Sequence, residues 1–187
     1  MQFLRDDNCI VLDFLPKGHS TGRQEPIAQV IGNKYFSLLE VIIKRDIAIK
    51  NGDLVYIGEG KRDQVDHIKR RITVRELTTF ARSELPFVVE KLVKENEQRF
   101  VDFFNKANPV STRLHQLELL PGVGKKHMWD IIGERKKGPF TSFEDIKKRI
   151  KLMPDPVNTV VKRILEEIEN EDVRYRLFVA GPQRRYP

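Results

Sequence analysis

Two glycines and two lysines stand close together in the second half of the chain, in a segment that reads LELLPGVGKK over 117–126. The proline should end one helix, and Gly122 and Gly124 allow positive φ angles and a close approach of a docking molecule. A new helix should begin near Lys125, where free backbone N–H groups and the helix dipole favour an anion. Lys125 and Lys126 add positive charge beside these donors. The segment therefore predicts a clamp for phosphate groups, without side chains suited to reading a base.

Residues 117–132, LELLPGVGKKHMWDII, resemble the helix-hairpin-helix motif. In that family the hairpin binds the nucleic-acid backbone without sequence preference. The residues that match the hairpin directly are Gly122, Val123, Gly124, Lys125 and Lys126. Met128 departs from the family pattern, because a small residue is usual there, and a wider spacing between the two helices is expected.

The stretch that follows this motif resembles a second repeat. Residues 136–146, KKGPFTSFEDI, match the linker and the first helix of such a repeat. Its hairpin would fall near 151–156, where KLMPDP has no glycine pair, so the second repeat is expected to be degenerate and structural. Lys136 and Lys137 in the linker, together with Arg113 ahead of the first hairpin, are further candidate contacts to the backbone.

The distribution of charge favours a polyanionic partner. The chain carries 34 Lys and Arg against 27 Asp and Glu, which gives a net charge of +7. Residues 113–163 hold 12 basic and 6 acidic side chains, so most of the excess surrounds the hairpin. Such a clustered basic excess is typical of proteins that bind nucleic acid.

The first half of the chain reads as short strands separated by glycine turns. Apolar runs predict strands over 9–15, 27–31, 35–43, 54–57 and 66–74. Residues 51–53, Asn-Gly-Asp, are a strong turn signal. The segment NGDLVYIG over 51–58 resembles the strand entry of OB-like or SH3-like barrels. Because no helical pattern separates the strands, a small β-barrel or curled sheet is predicted, and a parallel βαβ sheet is not.

The second half reads as helices. Apolar spacing predicts an amphipathic helix over 84–106, with a bend or a change of face at the four polar residues 96–99. Thr73 with Glu76 fits a capping box ahead of it. Shorter helices are predicted over 112–119, 125–132, 143–150 and 156–169, with Ser142 and Asp155 as N-caps of the last two. Core packing is the favoured role for four aromatic residues. These residues are Tyr35, Phe36, Tyr56 and Trp129. For Tyr35, Phe36 and Tyr56 the alternative is stacking on unpaired bases.

These features together predict an α+β protein with an OB/SH3-like β-barrel domain over 1–75. Connecting helices over 76–108 and an all-α helix-hairpin-helix domain over 109–187 complete it. This combination is similar to an archaeal family of predicted RNA-binding proteins of unknown function. The hairpin predicts a noncatalytic protein that grips the phosphate backbone. The barrel favours RNA as the partner, whereas hairpins of this type more often bind DNA, and the sequence leaves single- or double-stranded targets open.

Two other classes of protein share parts of this pattern. Base-excision glycosylases follow the hairpin with a Gly/Pro-rich loop and an aspartate about twenty residues further on, which Gly138, Pro139 and Asp145 match superficially. Asp145, however, falls in a predicted first helical turn, where an acidic side chain favours the dipole. The 75 residues of 113–187 are also short for a pocket that holds a flipped base. Helix-hairpin-helix units also form interfaces, so a protein partner or a homodimer is the other alternative.

The sequence contains no pattern that predicts a metal site, a cofactor site or a membrane contact. The single cysteine, Cys9, cannot form an internal disulfide or a cysteine zinc cluster. No two of His19, His67, His115 and His127 have the spacing of helical metal ligands. No catalytic constellation and no cofactor site are expected. Without an apolar run of ~18 residues or a signal-peptide pattern, no membrane contact and a cytoplasmic location are expected.

Overall fold

The computed structural model describes residues 4–21 and 24–181 of the 187-residue chain. These residues form an α+β protein, as predicted. Its first strands are β1 (Asn8–Leu15), β2 (Ile27–Gly32), β3 (Leu38–Ile43), β4 (Leu54–Tyr56) and β5 (Val65–Arg71). They are followed by α1 (Thr79–Glu95), α2 (Glu97–Lys106), β6 (Pro109–Ser111), β7 (Leu114–His115), α3 (Lys125–Lys137), α4 (Phe143–Arg149) and α5 (Pro156–Glu169). Short 3-10 helices lie at Val74–Glu76 and Gln116–Leu119.

Strands β1 to β5 form one antiparallel sheet in the order β4-β1-β2-β3-β5. The turn predicted at 51–53 is confirmed, because Gly52 has a φ of +88° and the Lys50 N–H donates to the Asp53 carboxylate at 2.9 Å. The strand pairing in the described residues agrees with the predicted absence of a parallel sheet.

The core of the sheet is aliphatic. Strand β2 is buried over its whole length, so both of its faces are covered. Alternate residues of neighbouring strands share one packed cluster, as the two-residue period of a strand requires. This cluster contains Cys9, Val11, Ala28, Val30, Val41, Ile43, Ile49, Val55, Ile57 and Val65. Burial raises the pKa of the Cys9 thiol, which therefore stays protonated.

The helical pattern begins earlier than the sequence predicts. Helix α1 starts at Thr79 and not at 84, because the Thr78 hydroxyl accepts a hydrogen bond from the Ala81 N–H at 3.0 Å and caps the first turn. The bend predicted at 96–99 is confirmed as the break between α1 and α2 at Asn96. The capping box ahead of them is also confirmed, since the Glu76 carboxylate accepts from the Thr73 N–H at 2.8 Å.

The predicted helix over 112–119 is wrong. This stretch holds the turn between β6 and β7, then β7 itself and the 3-10 helix Gln116–Leu119. Side chains bind the backbone locally and so compete with a continuous helix. The Ser111 hydroxyl accepts from the Arg113 N–H at 3.2 Å, the Gln116 amide oxygen from the Asn108 N–H at 2.8 Å, and His115 Nδ1 from the Leu117 N–H at 3.1 Å.

The aromatic residues divide between core and surface. Phe36 is buried, as predicted, and Tyr35 and Tyr56 are half-buried. The prediction that Trp129 belongs to the core is wrong, because the residue is 64% exposed on α3. Helix α3 turns Met128 and Ile131 inward instead, and these residues lie about 100° and 160° around the helix from the tryptophan.

Contacts along the chain divide it into two compact units. Among the described residues, one unit comprises those up to Val88 together with those from Glu167 onward, and the other comprises Val89–Glu166. Both limits fall inside helices, α1 and α5. The domain limits that the sequence predicts at 75 and 108 stay predictions. Among the described residues, no helix has the length and apolar character needed to cross a membrane.

We expect His115 to make folding sensitive to mild acid. Burial and the positive charge of Arg135 hold the pKa of His115 below its ordinary value of 6.5. As pH falls below 6.5, the unfolded chain therefore takes up a proton that the folded protein resists, and stability decreases. His115→Asn keeps an acceptor for the Leu117 N–H and should remove this dependence. Urea unfolding at pH 7.5 and 5.5 measures the free energy of unfolding of the unmodified protein and of His115→Asn. An equal decrease between the two pH values in both proteins would contradict the role of His115.

Candidate functional site

The LPGVG segment forms a tight turn that leads directly into α3. The 3-10 helix Gln116–Leu119 is followed by Leu120, whose carbonyl accepts from the Val123 N–H at 3.0 Å. Gly122 has a φ of +81°, in the left-handed region that favours glycine. Gly124 has an extended backbone and is the N-cap of α3, with its carbonyl accepting from the Met128 N–H at 2.9 Å. The predicted start of a helix at Lys125 is therefore confirmed.

The two glycines of this turn have different surroundings. A Cβ atom added to Gly122 would lie 2.8 Å from Cγ of Pro154, in the loop between α4 and α5, so Gly122 is required for packing. A Cβ atom added to Gly124 would have no neighbour within 4 Å among the described residues. The space beside Gly124, at the start of α3, is consequently open to an incoming molecule.

The N-terminus of α3 offers unpaired hydrogen-bond donors. Within residues 4–21 and 24–181, the N–H groups of Lys125, Lys126 and His127 have no acceptor, and no side chain caps the helix. With the helix dipole, such donors attract an anion. The first turn contains no acidic residue.

Helices α4 and α5 close the same position with side chains of their own. The Ser142 hydroxyl accepts from the Asp145 N–H at the start of α4, and the Asp155 carboxylate accepts from the Asn158 N–H at the start of α5, each at 3.0 Å. Both predicted N-caps are thus confirmed. The carboxylate at α5 would repel a phosphate, so the loop near 151–156 does not repeat the open geometry of the first turn.

The predicted basic contacts lie at two ends of α3 and in one neighbouring turn. Lys125 and Lys126 are exposed beside the open N-terminus. Lys136 and Lys137 are exposed eleven residues further on, about 16 Å along the helix axis. Lys137 forms an ion pair with Glu134, whereas Lys125, Lys126 and Lys136 have no ion pair within the described part of the chain. Arg113 is exposed in the turn between β6 and β7.

The C-terminal end of α3 is held by Arg149. Its guanidinium donates to the Gly138 carbonyl at 2.9 Å and lies 4.4 Å from the ring centroid of Phe140. It also binds the Asp145 carboxylate at 3.2 Å. Asp145 further accepts from the Thr141 N–H at 3.1 Å, so the aspartate that matches the glycosylase pattern is engaged in holding this corner.

A buried carboxylate in the sheet unit has no signal in the sequence. Glu40 accepts hydrogen bonds from Gln29 at 3.2 Å and Arg70 at 2.9 Å, and its other contact is His19 at 2.7 Å. Burial alone would raise the pKa of Glu40, but the hydrogen bonds from His19 and Gln29 and the charge of Arg70 outweigh it and hold the pKa below its ordinary value. The cluster ties β3 to its neighbours, which is a structural role.

A cleft of about 840 Å³ also lies in the sheet unit, lined by side chains of both charge signs. Its polar groups are largely engaged within the protein. Arg71 donates to the carbonyls of Ala180 and Gly181, Arg62 to that of Gly58, and the Tyr56 hydroxyl accepts from the Gly60 N–H. Among the described residues, no group of three or more His, Cys, Asp or Glu could hold a metal ion. The open turn before α3 is therefore the stronger candidate site.

The structure thus defines an α+β protein with an antiparallel five-stranded sheet, followed by helices and a basic turn at the start of α3. Residues 5–180 match the family described as "Protein of unknown function (DUF655)". The chain is 48% identical over 170 residues to the uncharacterized protein MJ0038 of Methanocaldococcus jannaschii, with 90% of this chain and 77% of that protein covered. The chain belongs to the DUF655 family, and this relative is an archaeal protein.

The fold is shared with a crystal structure from the same family. Af1531 from Archaeoglobus fulgidus is similar to this chain with a TM-score of 0.86 and 50% sequence identity. The match covers 94% of this chain and 100% of that chain. The resemblance to an archaeal family of unknown function is therefore confirmed, and the arrangement of sheet and helices is common to both proteins.

Proposed function

We propose that this chain is a noncatalytic nucleic-acid-binding protein that grips the phosphate backbone through the turn at 120–124 and the start of α3. The observation that carries this proposal is the open N-terminus of α3, with unpaired N–H donors flanked by Lys125 and Lys126. A phosphate oxygen is the ligand that such donors and charges favour. The helix-hairpin-helix resemblance of residues 117–132 supports the same reading.

The turn at 120–124 and the lysines beside it contact the backbone and read no base edge. Its donors are main-chain N–H groups and lysine ammonium groups, which contact phosphates in any sequence. The side chains at the open turn include no Asn, Gln or Arg that could form a two-pronged contact to a base edge. RNA is the proposed partner, because residues 51–58 resemble the strand entry of OB-like or SH3-like barrels in translation and RNA-processing proteins. DNA is an outcome that the experiment distinguishes.

The test is fluorescence anisotropy with labelled RNA and DNA of matched sequence, single-stranded and duplex. Lys125→Glu with Lys126→Glu should weaken binding to all sequences about equally, by at least tenfold, because two attractions become repulsions beside the bound phosphate. Lys50→Glu with Lys61→Glu is the matched control, since it changes net charge by the same amount at two exposed lysines of the sheet unit. Equal loss in both double variants, or loss for one sequence alone, would contradict a local backbone clamp.

Binding should also depend steeply on salt. Five basic residues can together neutralise roughly three to five phosphates, which predicts a slope of about −2 to −4 for log K against log salt. They are Lys125, Lys126, Arg113, Lys136 and Lys137. The slope is measured by repeating the anisotropy titrations between low and physiological salt. A measurable complex whose affinity does not change with salt would contradict the proposal.

A further inference from the structure

Trp129 is the single tryptophan of the chain, and it is 64% exposed on α3. Tryptophan side chains are highly buried on average, so this exposure calls for an explanation. The residue follows Lys125 by one helical turn and therefore lies on the same side of α3 as the open N-terminus. Four residues at helical spacing form this surface, here called the α3 outer face. They are Lys125, Trp129, Gly133 and Lys136.

Gly133 has no packing reason to be glycine. It lies inside α3, where glycine is unfavourable, and a Cβ atom there would have no neighbour within 4 Å among the described residues. Side chains of a helix lean toward its N-terminus, so a side chain at 133 would lean over Trp129, one turn earlier. Glycine at this position leaves the indole uncovered.

The charge around the indole points to the chemistry of its partner. The exposed lysines of α3 are Lys125, Lys126, Lys136 and Lys137, and its acidic residues are the exposed Asp130 and the half-buried Glu134, which pairs with Lys137. This excess complements a polyanion, and the flat indole between the lysines complements an unpaired base. The distance from Lys125 to Lys136, about 16 Å, is spanned by on the order of four nucleotides of one strand.

We propose that the α3 outer face binds a single-stranded nucleic-acid segment, with one base stacked on Trp129 and flanking phosphates on Lys125 and Lys136. This inference rests on the proposed function and specifies its substrate, because a base stacked inside a duplex cannot offer its face to the indole. Gly133 keeps the space that the base occupies.

The first test uses the fluorescence of Trp129, which reports on this position without a label. A uridine decamer should quench it, and an abasic decamer with the same number of phosphates should bind about tenfold more weakly without quenching. A duplex should bind without strong quenching. If the abasic and uridine strands bind equally well and neither quenches, the stacking proposal is overturned, while the backbone clamp stands. If no strand of any kind binds, the proposed function itself fails.

The second test separates the indole from general surface effects. Trp129→Ala should weaken binding of labelled single strands about tenfold and leave duplex binding unchanged, whereas Trp129→Phe should retain most of the affinity. Phe87→Ala is the matched control, because Phe87 is an aromatic residue of α1 with similar exposure, 68%. Equal effects of Trp129→Ala on single strands and duplexes would overturn the proposal.

The third test uses the opposite effects expected on stability and binding at Gly133. Gly133→Ala should raise the Tm by about 2–4 °C, because alanine favours a helix and meets no neighbour. Gly133→Gln should not lower the Tm, yet its side chain should cover the indole and weaken single-strand binding several-fold. Unchanged binding by Gly133→Gln, with the Tm maintained, would contradict a base seated at this position.

Discussion

Glu167→Ala is expected to cost about 3–5 kcal/mol of folding free energy. The Glu167 side chain is buried, and its carboxylate accepts hydrogen bonds from the N–H groups of Leu177, Phe178 and Val179, at 2.7, 3.0 and 2.9 Å. Alanine would leave three backbone donors without their acceptor, two of them in buried surroundings. Each orphaned donor costs about 1–3 kcal/mol.

Urea unfolding followed by circular dichroism measures this loss. Glu169→Ala is the control, because Glu169 lies on the same helix and is exposed. It should change stability by less than about 0.5 kcal/mol. Glu167→Gln should fall between the two, since the amide retains one oxygen acceptor but brings an NH₂ group toward the donors. A loss below about 1 kcal/mol for Glu167→Ala would show that these hydrogen bonds do not hold the segment.

The strands were predictable from the sequence because local signals and packing agree there. The apolar run at 9–15 corresponds to β1, and the Asn-Gly-Asp turn at 51–53 occurs where glycine is needed. The run at 35–43 was less predictable, since Phe36 has a φ of +57° and β3 begins at Leu38. The buried acceptor Asp6 organises this turn by accepting from the N–H groups of Lys34 and Tyr35. Asp6 lies 28 residues before Lys34, so no local sequence pattern predicts that it binds this turn.

The helical half shows where local patterns are insufficient. Residues 112–119 satisfy a helical pattern in part, yet the hydrogen bonds of Ser111, His115 and Gln116 to nearby backbone favour turns. Residue type and a position on a helix soon after the hairpin favour a core role for Trp129, which the structure contradicts. Its four-residue spacing from Lys125 is the signal that could have placed it on the exposed side, since the next inward positions are Met128 and Ile131.

The turn and the helix start of the candidate site were predictable from the sequence. The different surroundings of its two glycines were not. Residue types and spacing indicate a turn with a helix starting at Lys125, and the structure has both. Nothing in the segment itself says that Gly122 packs against Pro154, 32 residues further on, while Gly124 stays open. That distinction arises from tertiary packing, and it leads to opposite expectations for the two positions.

Gly122→Val and Gly124→Val should therefore separate folding from binding. At Gly122, valine would adopt a φ of +81°, which β-branched residues avoid, and its Cβ would lie 2.8 Å from Pro154 Cγ. We expect a loss of about 2–4 kcal/mol. At Gly124, with an extended backbone and open space, the loss should stay within about 1 kcal/mol.

Binding should follow the reverse order once folding is taken into account. Valine at 124 places two methyl groups before the N–H groups of α3 and should weaken binding to single strands and duplexes alike by about tenfold. Valine at 122 lies on the packed side, so the fraction that remains folded should bind nearly as well as the unmodified protein. Urea unfolding gives the stabilities, and anisotropy at a temperature where both variants are folded gives the affinities. If Gly124→Val lost stability but kept its affinity per folded molecule, the open N-terminus of α3 would not be where the phosphate binds.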